Sequence, residues 1–183
     1  MKKIAVFGSG NGSNFQAIVR YFQGRNDIQF VCISDKKDAF ILERARRLGI
    51  ENHHIPFADT LDFLKSNNFD LVVLAGYMRI LPKEITEYIK IINIHPSLLP
   101  DFKGMDAIKQ AYEARVNQTG VTVHYIDEGV DTGPVIAQLS VTIENGMALE
   151  ELEENVHKAE HQLYPKVIDH LLFNVPLGII SCV

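Results

Sequence analysis

The segment from residue 91 to residue 100 has the sequence IINIHPSLLP, in which an apolar strand runs into a loop stiffened by proline. Asn93 and His95 are two residues apart, so on a strand their side chains point to the same face. Pro96 favours an extended backbone at His95. The stretch predicts a hydrogen-bond donor and a proton-transfer group at the carboxyl end of a strand, where open α/β sheets bind ligands. On this stretch alone, a structural role for both side chains stays open.

Short apolar strands alternate with amphipathic helices before this segment, which predicts a doubly wound, mostly parallel, Rossmann-like sheet with helices on both faces. Strands are predicted near 3–7, 29–34, 51–56 and 70–75, and helices near 15–22, 39–48, 60–66 and 82–89. After a helix near 106–114, strands at 120–126 and 135–143 follow each other without a helix, so the α/β pattern is expected to end in an antiparallel C-terminal addition. A long helix is predicted over 149–172, with Pro165 as a point of bending.

The bulk properties favour a single domain over residues 1–183, because 183 residues with 46% apolar and 22% charged side chains are ordinary for one globular unit. A net charge of −5 argues against general nucleic-acid binding. No apolar run approaches the roughly 20 residues of a membrane span, and two cysteines, Cys32 and Cys182, fit a reduced cytoplasmic protein. The expected partners are therefore small molecules, without nucleic acid or membrane.

A glycine-rich loop, Gly8–Asn14, lies between the first strand and the first helix and has the sequence GSGNGSN. Backbone amides at the start of a helix bind oxyanions, so the loop predicts a phosphate or carboxylate site, in which Ser13 and Asn14 add donors or cap the helix. A tight turn without a ligand is the structural alternative. A dinucleotide site is a second alternative. Against it, Ser13 stands where the G-x-G-x-x-G pattern of such sites needs its third glycine. In its favour, Asp35, after the second strand, has the position of a ribose-binding acid. Asp35 equally fits a polar loop.

Two further stretches carry polar side chains of interest. The acidic turn Asp127–Pro134 is rich in glycine, and its Asp131 is either an ordinary turn residue or a carboxylate directed at a histidine. Residues His157–His161 match the H-x-x-E-H pattern of some zinc peptidases. Because a five-residue pattern of common polar residues often occurs by chance, no metal site is predicted there.

Taken together, these stretches resemble the glycinamide ribonucleotide formyltransferases, the folate-dependent family of purine synthesis, and they follow the order of that family over nearly the whole chain. The matching stretches are Ser9–Asn14, Leu74–Leu81, Asn93–Pro100, Gly120–His124 and Asp131–Pro134. The resemblance implies the formyltransferase fold, with 10-formyltetrahydrofolate as a co-substrate and no metal.

The resemblance also implies site residues. The catalytic group would be Asn93, His95 and Asp131, and the ribonucleotide acceptor would be held by Gly12, Ser13, Asn14 and Glu160. The formyl donor would contact Met78, Arg79, Ile80, Leu81, Asn93, Asp127, Glu128 and Val130. These residue types suit the chemistry, because attack of an amine on a formyl carbon develops an oxyanion that needs donors already in place. The amide of Asn93 and a protonated His95 supply two donors, and Asp131 favours the imidazolium.

The chain departs from the family pattern in three places. There is no clear equivalent of an arginine that some members place between residues 54 and 70, near the glutamate tail of the donor. Met105–Ile108 replaces a stretch that often contains histidine, and His157 stands where relatives often have Gln or Lys.

Three rival functions are weighed against this one. Methionyl-tRNA formyltransferase and formyltetrahydrofolate deformylase resemble the chain around Asn93, His95 and Asp131, but each carries an additional domain for which 183 residues are expected to leave no room. A non-catalytic nucleotide-binding module explains Gly8–Asn14 and Asp35 but gives the catalytic group no role. The expected assembly is a monomer or a homodimer.

Overall fold

A computed structural model describes residues 1–178 of the chain. Met1–Asn93 forms one compact unit, and the chain from Ile94 onward forms a second. Cys182 lies outside the described residues, whereas Cys32 is a buried thiol whose pKa is raised by burial to about 12.

The first unit is built on short parallel strands, most of which are apolar because both of their faces are covered. They are β1 (Lys2–Phe7), β2 (Ile28–Ser34), β3 (Glu51–His54), β4 (Leu71–Leu74) and β5 (Ile91–His95), in the order β3-β2-β1-β4-β5. The strand at one edge, β3, is polar, with the sequence ENHH. Ile4 of β1 is in register with Phe30 of β2 and Leu71 of β4, and its side chain is fully buried. The last strand, β5, ends two residues beyond the boundary between the units.

Helices follow four of these strands, as the alternating pattern predicts. They are α1 (Ser13–Tyr21), α2 (Phe40–Arg47), α3 (Thr60–Ser66) and α4 (Lys83–Thr86). Helix α1 buries Phe15 and Ile18, three residues apart on one face, and α2 packs on β2 and β3. The predicted helix over 82–89 is wrong in length, because only four residues are helical before the chain turns to enter β5 at Ile91.

The second unit contains α5 (Ala107–Glu113), β6 (Gln118–Tyr125), β7 (Val135–Thr142) and α6 (Leu149–Phe173). Strands β6 and β7 are antiparallel, with Gly120 opposite Ser140 and an irregularity in register between Val123 and His124. Helix α6 packs on β6, β7 and α5 and continues through Pro165. It has a stripe of fully buried side chains, Leu152, Val156, Ala159, Leu163 and Val167.

The fold prediction is confirmed: the first unit has parallel strands alternating with helices, and the second unit carries an antiparallel strand pair. That residues 1–183 act as a single domain stays a prediction. No helix within residues 1–178 has both the length and the apolar character that crossing a membrane requires.

The buried face of α6 predicts a large loss of stability on truncation. Leu163→Ala removes a fully buried side chain and is expected to lower the free energy of unfolding by about 2–5 kcal/mol, because the cavity adds to the lost transfer free energy. Glu154→Ala, on the exposed face of the same helix, is the control, with an expected change within about 0.5 kcal/mol. Urea denaturation of both variants measures the difference, and equal losses would contradict this assignment of the faces.

Candidate functional site

The glycine loop has a backbone conformation that glycine alone adopts easily. Gly12 has φ of +80° and is the N-cap of α1, and its carbonyl accepts a hydrogen bond from the amide of Gln16 at 3.0 Å. A Cβ at position 12 would lie 2.6 to 2.9 Å from atoms of Ile41, including its Cα, so the loop sits directly on the start of α2. The alternative that Ser13 or Asn14 caps the helix is wrong, because both are helical residues and the cap makes no side-chain hydrogen bond.

The amino end of α1 is left electropositive by its own sequence. Within the described part of the chain, no residue in the first turn of α1 is acidic, so the helix does not neutralise the partial positive charge at its start. The geometry of Gly12 and this charge are what an anion site requires.

Arg44 of α2 is hydrogen-bonded to the glycine loop. Its Nε donates to the carbonyl of Asn11 at 2.8 Å, and its Nη2 donates to Oδ1 of Asn11 at 2.6 Å. Its Nη1 donates to Oε1 of Gln16, and its guanidinium lies 4.9 Å from the ring centroid of Phe40. No pattern in the sequence indicates this contact, because Arg44 and Asn11 lie 33 residues apart in the chain.

Asp35 is fully engaged in contacts within the first unit. Ser9 Oγ donates to its Oδ1 at 2.6 Å, and Arg79 Nε donates to its Oδ2 at 2.7 Å. Burial opposes its charge, but these hydrogen bonds outweigh burial and lower the pKa of Asp35. The carboxylate is therefore taken up by the chain itself, which does not support the interpretation of Asp35 as a ribose-binding acid.

The segment Met78–Leu81, expected to contact the formyl donor, shows two kinds of side chain. Met78 and Ile80 are 55% and 72% exposed, which is unusual for large apolar residues. Leu81 is buried, so its side chain belongs to the core, and a ligand would reach only its backbone.

In the second unit, the structure brings His95 and Asp131 together. Nδ1 of His95 lies 3.3 Å from Oδ2 of Asp131, and the other ring nitrogen, Nε2, lies 2.8 Å from the carbonyl oxygen of Phe102. Each nitrogen thus faces an oxygen acceptor, and both can donate only in the imidazolium form. The structure therefore supports the interpretation of Asp131 as a carboxylate directed at a histidine.

Three polar groups face the Asp131 carboxylate. Besides His95, the amide of Gly104 donates to Oδ2 at 2.9 Å, and Nε2 of His124 lies 3.6 Å from Oδ1. Burial opposes the charge, but the contacts with His124, Gly104 and His95 prevail and lower the pKa of Asp131. Sequence reasoning missed His124, because an inward-facing histidine on an alternating strand has no local signal that distinguishes it from a core residue.

The loop after β5 is fixed by a buried hydroxyl of β6. Thr122 is fully buried, and its Oγ1 donates to the carbonyl of Ser97 at 2.7 Å and accepts from the amide of Leu99 at 3.0 Å. Gln138 of β7 donates from Nε2 to the carbonyl of Leu99 at 2.9 Å. These bonds hold the proline-containing loop that follows His95 in one conformation.

The acidic turn is closed by its own first residue. Oδ1 of Asp127 accepts from Oγ1 of Thr132 at 2.7 Å and from the amide of Gly129 at 3.0 Å, and these contacts lower the pKa of Asp127. Val130 is 51% exposed and Glu128 is also exposed. The turn thus presents its tip to solvent and places Asp131 beside His95.

On α6, Glu160 and His157 form a pair one helical turn apart. Nδ1 of His157 lies 2.9 Å from Oε2 of Glu160, whose side chain is only 7% exposed, and this hydrogen bond raises the pKa of His157. His161 is half-buried, and burial lowers its pKa. In residues 1–178 no cluster of three His, Cys, Asp or Glu side chains is arranged to hold a metal.

Comparison with known proteins gives consistent results. The formyl transferase family matches residues 2–168. A phosphoribosylglycinamide formyltransferase of Bacillus subtilis is 44% identical, covering 94% of this chain and 95% of the relative, and one of Haemophilus influenzae is 40% identical, covering 92% and 86%. The crystal structure of glycinamide ribonucleotide transformylase 1 from Geobacillus kaustophilus superposes with a TM-score of 0.87 at 46% identity, covering 94% of this chain and 99% of that one. The chain belongs to the formyl transferase family.

Proposed function

We propose that the chain transfers the formyl group of 10-formyltetrahydrofolate to the amine of glycinamide ribonucleotide, giving formylglycinamide ribonucleotide and tetrahydrofolate in de novo purine synthesis. The observation that carries the proposal is the His95–Asp131 pair, at 3.3 Å, in a chain of the formyl transferase family. The names of its relatives in Bacillus subtilis and Haemophilus influenzae support this acceptor.

The acceptor is held through its phosphate and its amine. Gly12, Ser13 and Asn14 bind the phosphate, since the backbone at Gly12 and the uncompensated amino end of α1 suit an anion. Glu160 interacts with the amine, and its nearly buried carboxylate is kept in position by His157.

The reaction needs donors for the oxyanion that forms on the formyl group. Asn93 and His95 supply them, and the Asp131 carboxylate, 3.3 Å from Nδ1 of His95, orients the ring. Because Nε2 of His95 donates to Phe102 in this structure, catalysis requires it to exchange that carbonyl for the formyl oxygen. The proton lost by the attacking amine reaches the departing nitrogen by a side chain or a bound water.

The formyl donor is a folate co-substrate, and the reaction needs no metal. Its contacts come from the loop after β4, from the end of β5 and from the acidic turn. The residues are Met78, Arg79, Ile80, Leu81, Asn93, Asp127, Glu128 and Val130. A cytoplasmic location and a monomeric or homodimeric state remain predictions.

Formyl transfer from 10-formyltetrahydrofolate to glycinamide ribonucleotide tests the function directly. The wild type is expected to be active and His95→Ala to lose about 10²-fold in kcat, because an acid–base group contributes that much or more. His170→Ala is the control, since His170 lies in the last turn of α6 and its ring contacts the carbonyl of Val175, beyond the end of the helix. Hydrolysis of the donor to formate without transfer would point to a deformylase, and no reaction to a binding module.

Asp131→Asn tests the carboxylate with little change in shape. Asn tolerates the φ of +52° at this position, so the loop is expected to keep its conformation while kcat falls about 10²-fold. An unchanged kcat would show that His95 does not depend on this charge.

The same variant predicts a change in the pH dependence of stability. Because the pKa of Asp131 is lowered in the folded chain, its charge contributes stability that is present above about pH 4 and lost as the pH falls further. The difference in Tm between wild type and Asp131→Asn is therefore expected to shrink between pH 7 and pH 3, as measured by thermal unfolding. A difference that stays constant would contradict the lowered pKa.

Two glycines of the loop give a matched test of the phosphate site. Gly12→Ala places a methyl group against Ile41 in a left-handed backbone and is expected to raise KM for the acceptor at least about tenfold. At Gly10 a Cβ meets no atom within 4 Å, so Gly10→Ala is expected to leave KM nearly unchanged. Equal effects on KM would place the phosphate elsewhere.

A further inference from the structure

We infer that Asp35 is a positioning residue whose carboxylate ties the glycine loop to the loop of residues 76–81, so that the two loops hold their substrates in a fixed relation. Its role in catalysis rests on the function proposed above. The link between the two loops, called the tie below, consists of the contacts of Asp35 and Ser9. It rests on the geometry of the first unit alone.

The contacts of Asp35 connect the loops that follow three neighbouring strands. Asp35 comes directly after β2, Ser9 lies in the loop after β1, and Arg79 lies in the loop after β4. Ser9 is shared by two loops, since its Oγ donates to Asp35 and accepts from the amide of Met78 at 3.0 Å. Its own amide donates to the carbonyl of Gly76 at 3.0 Å. The 76–81 loop is thus bonded near its start, at Met78 and at Arg79.

The strength of the tie follows from the burial of the carboxylate. The side chain of Asp35 is only 1% exposed, whereas that of Arg79 is 50% exposed. A buried carboxylate is strongly destabilising without its donors, so loss of either partner is costly. Hydrogen bonds to charged groups are also stronger than neutral ones. Arg79 is held at a second point, since its guanidinium lies 5.6 Å from the ring centroid of Phe57.

The exposed apolar side chains of the same loop give the tie a functional meaning. Met78 and Ile80 are 55% and 72% exposed, so they contribute little burial that would fix the loop. A loop that presents apolar side chains to a ligand must be fixed by other contacts, and the polar contacts of Ser9 and Asp35 serve this purpose. Burial of Leu81 fixes the end of the loop, and the tie fixes the part around Met78 and Arg79, where the exposed apolar side chains lie.

A shared anchor also couples the two loops. A substrate that orders the glycine loop also orders Ser9, and through Ser9 and Asp35 it favours the bonded form of the 76–81 loop. Each substrate is then expected to raise the affinity for the other by the same factor, since coupling between binding sites is reciprocal.

The test compares Asp35→Asn with Asp27→Asn in the full chain. Both remove a carboxylate that pairs with an arginine, but Asp27 pairs with Arg25 at 2.7 Å just before β2 begins, at the other end of the strand. Hydrogen exchange of the backbone amides in residues 8–14 and 76–81 measures the tie without any substrate. Exchange in both segments is expected to rise at least about tenfold in Asp35→Asn, as for loss of one charge-assisted hydrogen bond, and to stay unchanged in Asp27→Asn.

Kinetics then test the role in the reaction. In Asp35→Asn, KM for the formyl donor is expected to rise about tenfold while kcat changes less, because the loop is displaced but the His95–Asp131 pair is intact. If Asp35→Asn does not fold, Ser9→Ala, which removes one hydroxyl from the same tie, is measured in the same way.

The outcomes separate the two proposals. Unchanged exchange in a folded variant would overturn the tie, whatever the activity. Raised exchange with an unchanged donor KM would overturn its role in substrate positioning. Raised exchange in a chain whose wild type shows no formyl transfer would support the tie and overturn the proposed function instead.

Discussion

A carboxylate largely removed from water is stable only where polar groups compensate its charge, and the second unit places three of them around Asp131. They come from the end of β5, from the backbone near α5 and from β6, as His95, Gly104 and His124. Because the charge of Asp131 needs these partners, its contacts with them hold the three segments in position. The requirement for neutralisation thus fixes the histidine that the proposed chemistry uses.

The first unit contains a comparable carboxylate, that of Asp35, whose side chain is removed from water. There the donors are a hydroxyl and a guanidinium, so the carboxylate joins two loops and activates no neighbouring imidazole. Within each unit the strands are packed by non-directional burial, and a charged hydrogen-bond acceptor then sets the detailed arrangement of the loops that follow them. Burial decides the fold, whereas directed polar contacts decide the geometry of the candidate site.

Much of this could be predicted from the sequence, because strands, helices and the glycine loop are local patterns. The identity of β5 and the pairing of His95 with Asp131 follow from such patterns together with the resemblance to a family. The partners of Asp35 and Arg44 could not be predicted, since they lie 26 to 44 residues away in the chain and meet only after folding. The contact between Nε2 of His95 and the carbonyl of Phe102 could not be predicted either. A backbone acceptor is present at every residue, so the sequence of side chains does not indicate it.

Gly12 has an implication for how related sequences are interpreted. Its left-handed φ and its contact with the Cα of Ile41 exclude a side chain for two independent reasons, and a smaller residue at position 41 would remove only part of one of them. A relative that no longer bound a phosphate would still need glycine here in order to pack its second helix. Glycine at position 12 therefore identifies the fold. Evidence for the activity has to come from residues that the fold does not require.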